Sequence, residues 1–344
     1  MSAVDASATI GAPAEAGVEA GVAVVVPAFN AADTIGAAVR SALAQRGVSE
    51  VCVVDDASTD GTVEAARAAD DGTGRLLIER LALNGGPAAA RNRALDATRA
   101  PLIAVLDADD RFVPDRFAAL PPAAGWDLFA DNVAFRSTVE ALERMAPPEA
   151  RAPRPLDLAA FVGGNVSRPG RPRGELGFLK PVLSRAFLGS HGLRYDERLR
   201  LGEDYDLYAR ALARGARLLV SPQVGYAALL RPDSLSARHR TADLAALAAV
   251  DDRLLADPDV PEAARRPIRR HRRQTLARHA LRRFLDRRAV VGRRMALREL
   301  LGQPGDWVAI AGGVARDKLR DLIGPPTPAR TLLPVADASN GDAP

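Results

Sequence analysis

The chain has 344 residues, 47% hydrophobic and 26% charged, enough for one large globular core with an appendage. No apolar run approaches the ~20 residues that span a bilayer, and the first twenty residues lack the basic and apolar regions of a secretory signal. A single cysteine, Cys52, excludes an internal disulfide, so a soluble cytoplasmic protein is expected.

Residues 1–20 are small and rich in Ala, Gly and Pro, the composition of a disordered leader. "GVAVVVPAFN" then reads as a strand covered on both faces, because its apolar run is unbroken. "AADTIGAAVRSALAQR" places Ile35, Val39 and Leu43 at helical spacing, with Asp33 in position to cap. "EVCVVDDAS" is a second buried strand, and Asp60 opens the helix "GTVEAARAA". "RLLIER" is a third strand, "PAAARNRALDATR" a third helix with Pro87 near its first turn, and "PLIAVL" the fourth strand. This rhythm predicts an α/β fold with a parallel, doubly wound sheet, in which ligands bind beyond the carboxyl ends of the strands.

Residues 121–175 are rich in Pro, Gly and Arg and predict long loops around one strand, "DLFADNVAF". A helix "EDYDLYARALARG" and a strand "ARLLVS" follow. Residues 240–300 read as helical, with Pro258, Pro261 and Pro267 as breaks, and the chain beyond Gly324 as a loose tail. Net charge is +4, but fourteen arginines and one acid, Asp286, fall between Arg265 and Arg298. That asymmetry points to an acidic partner surface for this segment.

Three acidic clusters lie at strand ends or beside them. Asp55 and Asp56 close strand two, and Asp107, Asp109 and Asp110 close strand four in "VLDADD". Side chains alternate along an extended segment, so Asp107 and Asp109 point the same way. Two carboxylates at a strand's carboxyl end suit Mg²⁺ or Mn²⁺, whose remaining positions are filled by phosphate oxygens and water. The plainer reading is a capped turn before "VPDRFAAL", and for Asp55-Asp56 an Asx-turn. The third cluster, Glu203-Asp204, begins a helix whose Leu207, Ala211 and Leu212 face inward, where an acid can also simply cap.

The ordered set "VVVPAFNAADTI", "VCVVDDASTDGT", "NGGPAAARNRALDAT" and "PLIAVLDADDRFVPDR" resembles family 2 glycosyltransferases, from about Val22 to Ser236. "GELGFLKPVLSRAFLGSHGLRYDERLRLGEDYDLYARALARGA" looks like the members that assemble succinoglycan-type bacterial exopolysaccharides. The resemblance implies a GT-A fold, a mainly parallel Rossmann-like sheet flanked by helices, here with a C-terminal helical extension. It implies that Pro27, Ala28 and Asn30 cup the nucleotide. Asp56 would read uracil's N–H, with Asp55 supporting it. Asp107 and Asp109 would be the DxD pair at a metal-bound diphosphate, with Asp110 an alternative ligand. Arg91 would approach the phosphates or sugar, unless it is an exposed helix arginine. Asp204 would be the general base, deprotonating an acceptor hydroxyl as it attacks.

One departure concerns "ALLRPDSLS": Arg231 stands where a family His ligand can occur, which suggests a direct contact with the diphosphate. His191 is a further candidate near the acceptor, against the plainer reading of a surface-loop histidine. The expected layout is a leader (1–20), a GT-A domain (21–240, with a nucleotide half 21–120 and an acceptor half 121–240), a basic helical extension (241–324) and a flexible tail (325–344). The expected activity is inverting, metal-dependent transfer from a UDP-sugar, UDP-glucose, to a lipid-linked oligosaccharide.

The arginine-rich segment carries Leu276, Ala280, Phe284 and Val291 as a partial apolar stripe. It reads either as an interfacial helix on an anionic membrane or as a tail packed on the domain. The rivals are a nucleotidyltransferase, which would want a basic Gly-rich loop where "PAFNAADT" stands, and a nucleic-acid binder. The arginine segment holds one aromatic, Phe284, too few for base stacking, so no nucleic-acid partner is expected.

Overall fold

The computed structural model describes residues 21–138, 141, 152–167, 175–230, 240–302, 305, 307, 310–313 and 330–333. The leader 1–20 and Arg231 lie outside them. The strands are β1 (Val22–Ala28), β2 (Val48–Asp55), β3 (Leu76–Arg80), β4 (Leu102–Val105), β5 (Arg111–Phe112), β6 (Leu128–Arg136), β7 (Arg154–Pro155), β8 (Val182–Ser184), β9 (Leu218–Leu229) and β10 (Arg330–Thr331). The helices are α1 (Ile35–Leu43), α2 (Thr62–Arg67), α3 (Gly86–Ala97), α4 (Leu158–Gly164), α5 (Arg185–Ser190), α6 (Glu203–Ala213), α7 (Thr241–Ala256) and α8 (Glu262–Leu301).

The four expected strands run parallel in the order β3-β2-β1-β4, and the sheet continues through β8, β6, β9 and β5. The valines of β1 and β2 are buried on both faces, which is why neither strand shows polar alternation. The sheet turns antiparallel at β8, which pairs with β4 and β6, while β6 and β9 are parallel. Register brings the carboxyl ends level. Ala28 lies beside Asp55, and Asp107 follows two residues beyond the Val105–Val25 pair.

Three expectations about local structure change. Asp33 does not cap α1, whose N-terminal flank Thr34 makes no side-chain cap bond; Asp60 does receive the Thr62 amide at the start of α2. Pro267 does not break the second C-terminal helix, which runs through it and kinks at Gly292 (φ +79°, ψ 165°). Residues 330–333, expected to be loose, instead join the sheet: β10 pairs with β6, and Leu333 exchanges hydrogen bonds with the Asn132 amide at 2.8 and 3.0 Å. Two adjacent leucines with buried side chains anchor that turn.

Of the stripe expected on the arginine segment, Ala280 is buried, while Leu276, Phe284 and Val291 are half-buried. Ile268 and Thr275 are buried on the same helix, and His271 bonds Asp251, which also accepts the Tyr205 hydroxyl. Arg272 pairs with Asp252. The first half of α8 is thus a packed helix with Arg266, Arg269 and Arg273 on its exposed side, and the arginines from Arg282 to Arg298 are exposed as well.

Beneath the mixed half of the sheet lies a buried ion pair. Arg116 contacts both Asp131 oxygens at 2.6 and 2.8 Å and gives a further N–H to the Lys180 carbonyl at 2.6 Å. Its guanidinium lies 4.6 Å from the Phe112 ring centroid and 5.5 Å from that of Tyr226. Gly225 on β9 makes room for this pair: a Cβ there would meet Asp131 Oδ2 at 1.8 Å and Arg116 Cγ at 2.9 Å. Gly225→Ala should therefore cost about 3–5 kcal/mol, the range for breaking a buried pair. Urea unfolding should show a lower midpoint at unchanged slope; a midpoint equal to the wild type's would show that the pair can move aside.

Candidate active site

The loops after β1 and β2 are stapled together before any ligand arrives. Asn30 adopts φ +48°, a conformation Asn tolerates, and its amide N–H bonds Ser58 Oγ at 2.9 Å while its Oδ1 accepts the Thr59 amide at 2.8 Å. The Ala31 amide reaches Thr62 Oγ1 at 2.8 Å. Pro27 and Ala28 end β1 at this cup, and the Phe29 ring stands half-exposed at its rim.

Asp55 is fully buried, receives the Ser58 amide and pairs with Arg80 at 3.2 Å, so it acts as the turn's anchor. Asp56, expected to read a base, already holds two backbone amides, Gly85 at 2.7 Å and Gly86 at 2.8 Å. Gly86 sits at φ +84°, a backbone that favours glycine. The observed work of Asp56 is to fix the start of α3, the helix that carries Arg91.

Strand four ends at Val105, and Asp107 to Asp110 form a turn closed by the Asp110 N–H on the Asp107 carbonyl at 3.0 Å, as the plainer reading expected. Asp107 and Asp109 are part-exposed, while Ala108 and Asp110 are buried. Asp110 accepts the Tyr226 hydroxyl at 2.7 Å and the Leu229 amide at 2.9 Å, and Tyr226 in turn accepts the Asp107 amide at 3.1 Å. Burial, with Asp109 and Asp107 nearby, pushes the Asp110 carboxyl well above the usual range. Asp110 fastens the loop to β9, which leaves the outward pair better placed for a metal.

Asp107 is held by two cations. Lys180 Nζ lies 2.9 Å from its Oδ2 and Arg91 Nη2 2.9 Å from its Oδ1. Burial alone would raise this carboxyl, but the Lys180 and Arg91 charges overcome it and hold the group well below the usual range. The same cations reach α6. Arg91 Nη1 lies 2.5 Å from Glu203 and 3.3 Å from Asp204 Oδ1, and Lys180 Nζ is 2.9 Å from Asp204 Oδ2. Burial would lower the Lys180 ammonium, but Asp107 and Asp204 raise it well above its ordinary value.

The helix starts at Gly202 (φ +84°), which has no side chain to cap it, and Glu203 and Asp204 lie in its first turn, where they meet Arg91 and Lys180 as well as the helix dipole. Arg91, expected at the phosphates or else on the surface, is buried between three carboxylates and lies 5.3 Å over the Tyr195 ring. Among the described residues Asp204 Oδ1, Arg91 Nε and the hydroxyls of Tyr195 and Tyr208 make no hydrogen bond although all four are buried. His191 is an exposed ring bonded to Ser190 and the Phe187 carbonyl. Lys180 was not among the expected residues. Its available signal was composition: it is one of two lysines in a chain that otherwise uses arginine.

Asp107 and Asp109 are carboxylates of a type that suits a hard cation, although both oxygens of Asp107 are already paired, with Lys180 and Arg91. No three ligand-type side chains gather into a metal cage among the described residues, so an ion here would need oxygens from a bound diphosphate. No helix among the described residues is long and apolar enough to cross a membrane.

The Glycosyl transferase family 2 profile matches residues 23–146. The chain is 49% identical to the succinoglycan biosynthesis protein ExoU of Rhizobium meliloti (strain 1021), over 93% of each. Two solved structures are more distant. TarS 1–349 of S. aureus, in complex with UDP-GlcNAc, gives a TM-score of 0.54 at 21% identity, covering 77% of this chain and 72% of that one. The mannosyltransferase PcManGT of Pyrobaculum calidifontis, with GDP-Man and Mn²⁺, gives 0.52 at 19%, covering 88% and 86%. These likenesses establish the GT-A fold, and the long, close match to ExoU establishes more: the chain belongs to glycosyl transferase family 2.

Proposed function

We propose that this chain is an inverting, metal-assisted glycosyltransferase that moves glucose from UDP-glucose to a lipid-linked oligosaccharide during exopolysaccharide assembly, at the cytoplasmic face of the membrane. The observation that carries the reading is the cluster in which Lys180 and Arg91 join the strand-four carboxylate Asp107 to Glu203 and Asp204. The name of the ExoU relative supports an exopolysaccharide product. The two solved neighbours carry different donors, UDP-GlcNAc and GDP-Man, so the base has to be selected by this chain's own loops. Phe29, half-exposed next to Ala28, offers an aromatic face beside Pro27, Ala28 and Asn30, which with Asp56 and Asp55 are proposed to hold the nucleotide. The nucleotidyltransferase and nucleic-acid readings receive no support from family membership.

In this reading Asp204 Oδ1 takes the proton of the acceptor hydroxyl as its oxygen attacks the anomeric carbon. The bond from that carbon to the diphosphate breaks on the opposite face, and one displacement inverts the centre. Lys180 pins Asp204 Oδ2, and Oδ1, which pairs with Arg91 Nη1 at 3.3 Å but takes no hydrogen bond, is the proposed proton-accepting atom. Asp109 with Asp107 would hold Mg²⁺ or Mn²⁺, which supplies positive charge for the departing nucleoside diphosphate. Arg91 and Lys180 add fixed positive charge to the same region, and Arg231, outside the described residues, is proposed as a direct contact of the diphosphate. Glu203 shares Arg91; burial raises its carboxyl, with Arg91 opposing.

A panel of nucleotide sugars incubated with Mn²⁺ tests the donor: slow hydrolysis of UDP-glucose above the others is expected, and an equal rate with GDP-sugars would remove uridine from the reading. EDTA or Asp109→Asn should stop that hydrolysis, and undiminished turnover in excess EDTA would exclude a metal. Asp204→Asn should reduce transfer by about 10²-fold or more, with UDP affinity by calorimetry unchanged. If UDP binding collapses too, Asp204 organises the fold and not the proton transfer. Lys180→Met should lower kcat by a factor on the order of 10² while KM for the donor stays within about threefold. A rise in donor KM at unchanged kcat would assign Lys180 to the diphosphate.

A further inference from the structure

Residues 281–302 hold seven arginines against two acids, and both acids are used inside the segment or on its neighbour. Asp286 pairs with Arg282 at 3.0 Å and accepts the Thr241 hydroxyl at 2.6 Å. Glu299 takes two hydrogen bonds from Arg287, at 2.7 and 2.8 Å. These partners are 12 residues apart, and a straight helix would separate them by about 18 Å. The break at Gly292 removes that separation by turning the last segment of α8 back on the helix before it.

The hairpin so formed presents apolar side chains to solvent. Val290 is 79% exposed and Leu301 66%, with Met295, Leu297 and Trp307 also open. Arg294, Leu297, Arg298, Leu300, Leu301 and Trp307 line an open groove of about 250 Å³, and the Trp307 indole is oriented by a 2.7 Å bond to the Leu300 carbonyl. Upstream, the same helix buries Ile268, Thr275 and Ala280 against the rest of the protein. The chain therefore changes from a helix whose apolar side is buried to a segment in which Val290, Met295, Leu297 and Leu301 are exposed among the arginines. A patch that is both apolar and strongly basic complements an anionic lipid leaflet, where arginines meet head groups and Leu and Trp enter the acyl boundary.

We propose that the Gly292 hairpin is the membrane-contacting element of this protein and that its partner is an anionic bilayer surface. The proposal deepens the reading of a lipid-linked acceptor and rests on it for purpose, but not for its test. Full-length protein is sedimented with vesicles of phosphatidylcholine alone or mixed with phosphatidylglycerol. Pelleting with the anionic vesicles only, reversed by added salt, is expected. Leu301→Ser with Trp307→Ser, at exposed positions, should weaken pelleting by about tenfold or more, with circular dichroism and donor hydrolysis unchanged. Arg293→Glu with Arg294→Glu should do the same through charge. Wild-type protein left in the supernatant with anionic vesicles would overturn the proposal, as would either double variant pelleting like the wild type. A dimer that the Leu301 and Trp307 changes dissolve, without vesicle binding, would assign the patch to a second copy of the chain instead. Donor hydrolysis is read separately, so its absence would count against the proposed activity and leave the vesicle result standing.

Discussion

Lys180 lies buried with its ammonium 2.9 Å from a carboxylate oxygen of Asp107 and 2.9 Å from one of Asp204. Arg91 completes the set by bridging Asp107, Glu203 and Asp204 from α3. Taking such charges out of water costs several kcal/mol per ion, and well-packed apolar side chains would serve stability as well or better. The cluster is therefore poorly explained as a stabilising device and well explained as a site. It joins the end of β4, the start of α6, the approach to β8 and the middle of α3. None of these elements can shift without separating a cation from a carboxylate.

The surrounding structure holds those two cations in place. Arg91 is placed by α3, whose first amides are fixed by Asp56. Lys180 is placed through its carbonyl, held by Arg116, which is itself locked onto Asp131 against Gly225. Tyr226, next to Gly225, links the Asp107 amide to Asp110. The buried pair and the buried tyrosine thus form a supporting shell, and the absence of a Cβ at 225 lets that shell close. Such backing fits a site that must hold its groups to a fraction of an ångström.

Much of this was readable from the chain. Unbroken valine runs identified β1 and β2 because a strand covered on both faces needs no polar alternation, whereas the alternation rule did not carry to Asp107 and Asp109, which lie in a turn past the end of β4. The likeness of the spaced motifs to family 2 singled out Asp204 and Arg91, which the structure brings within 3.3 Å of each other. What could not be read depends on contacts between segments distant in sequence. Lys180 meets Asp107 and Asp204 only once β8 has paired with β4, and Asp110 turns inward because Tyr226 and Leu229 arrive from β9. Pro267 lies near the start of α8, where the helix runs through it, and the break falls instead at Gly292, whose φ of +79° departs from helical geometry. Residues 330–333 joined the sheet through Asn132, a partner that local composition does not announce.

The central claim is a single displacement driven by Asp204 at this cluster, and it has a stereochemical signature. Proton NMR of the sugar released during slow hydrolysis of UDP-α-glucose, followed from the first turnovers before mutarotation, reads the configuration directly. Water would enter opposite the diphosphate, so β-glucose is predicted as the initial product. Initial α-glucose would mean retention, and with it a mechanism in which Asp204 is not the base of a one-step transfer.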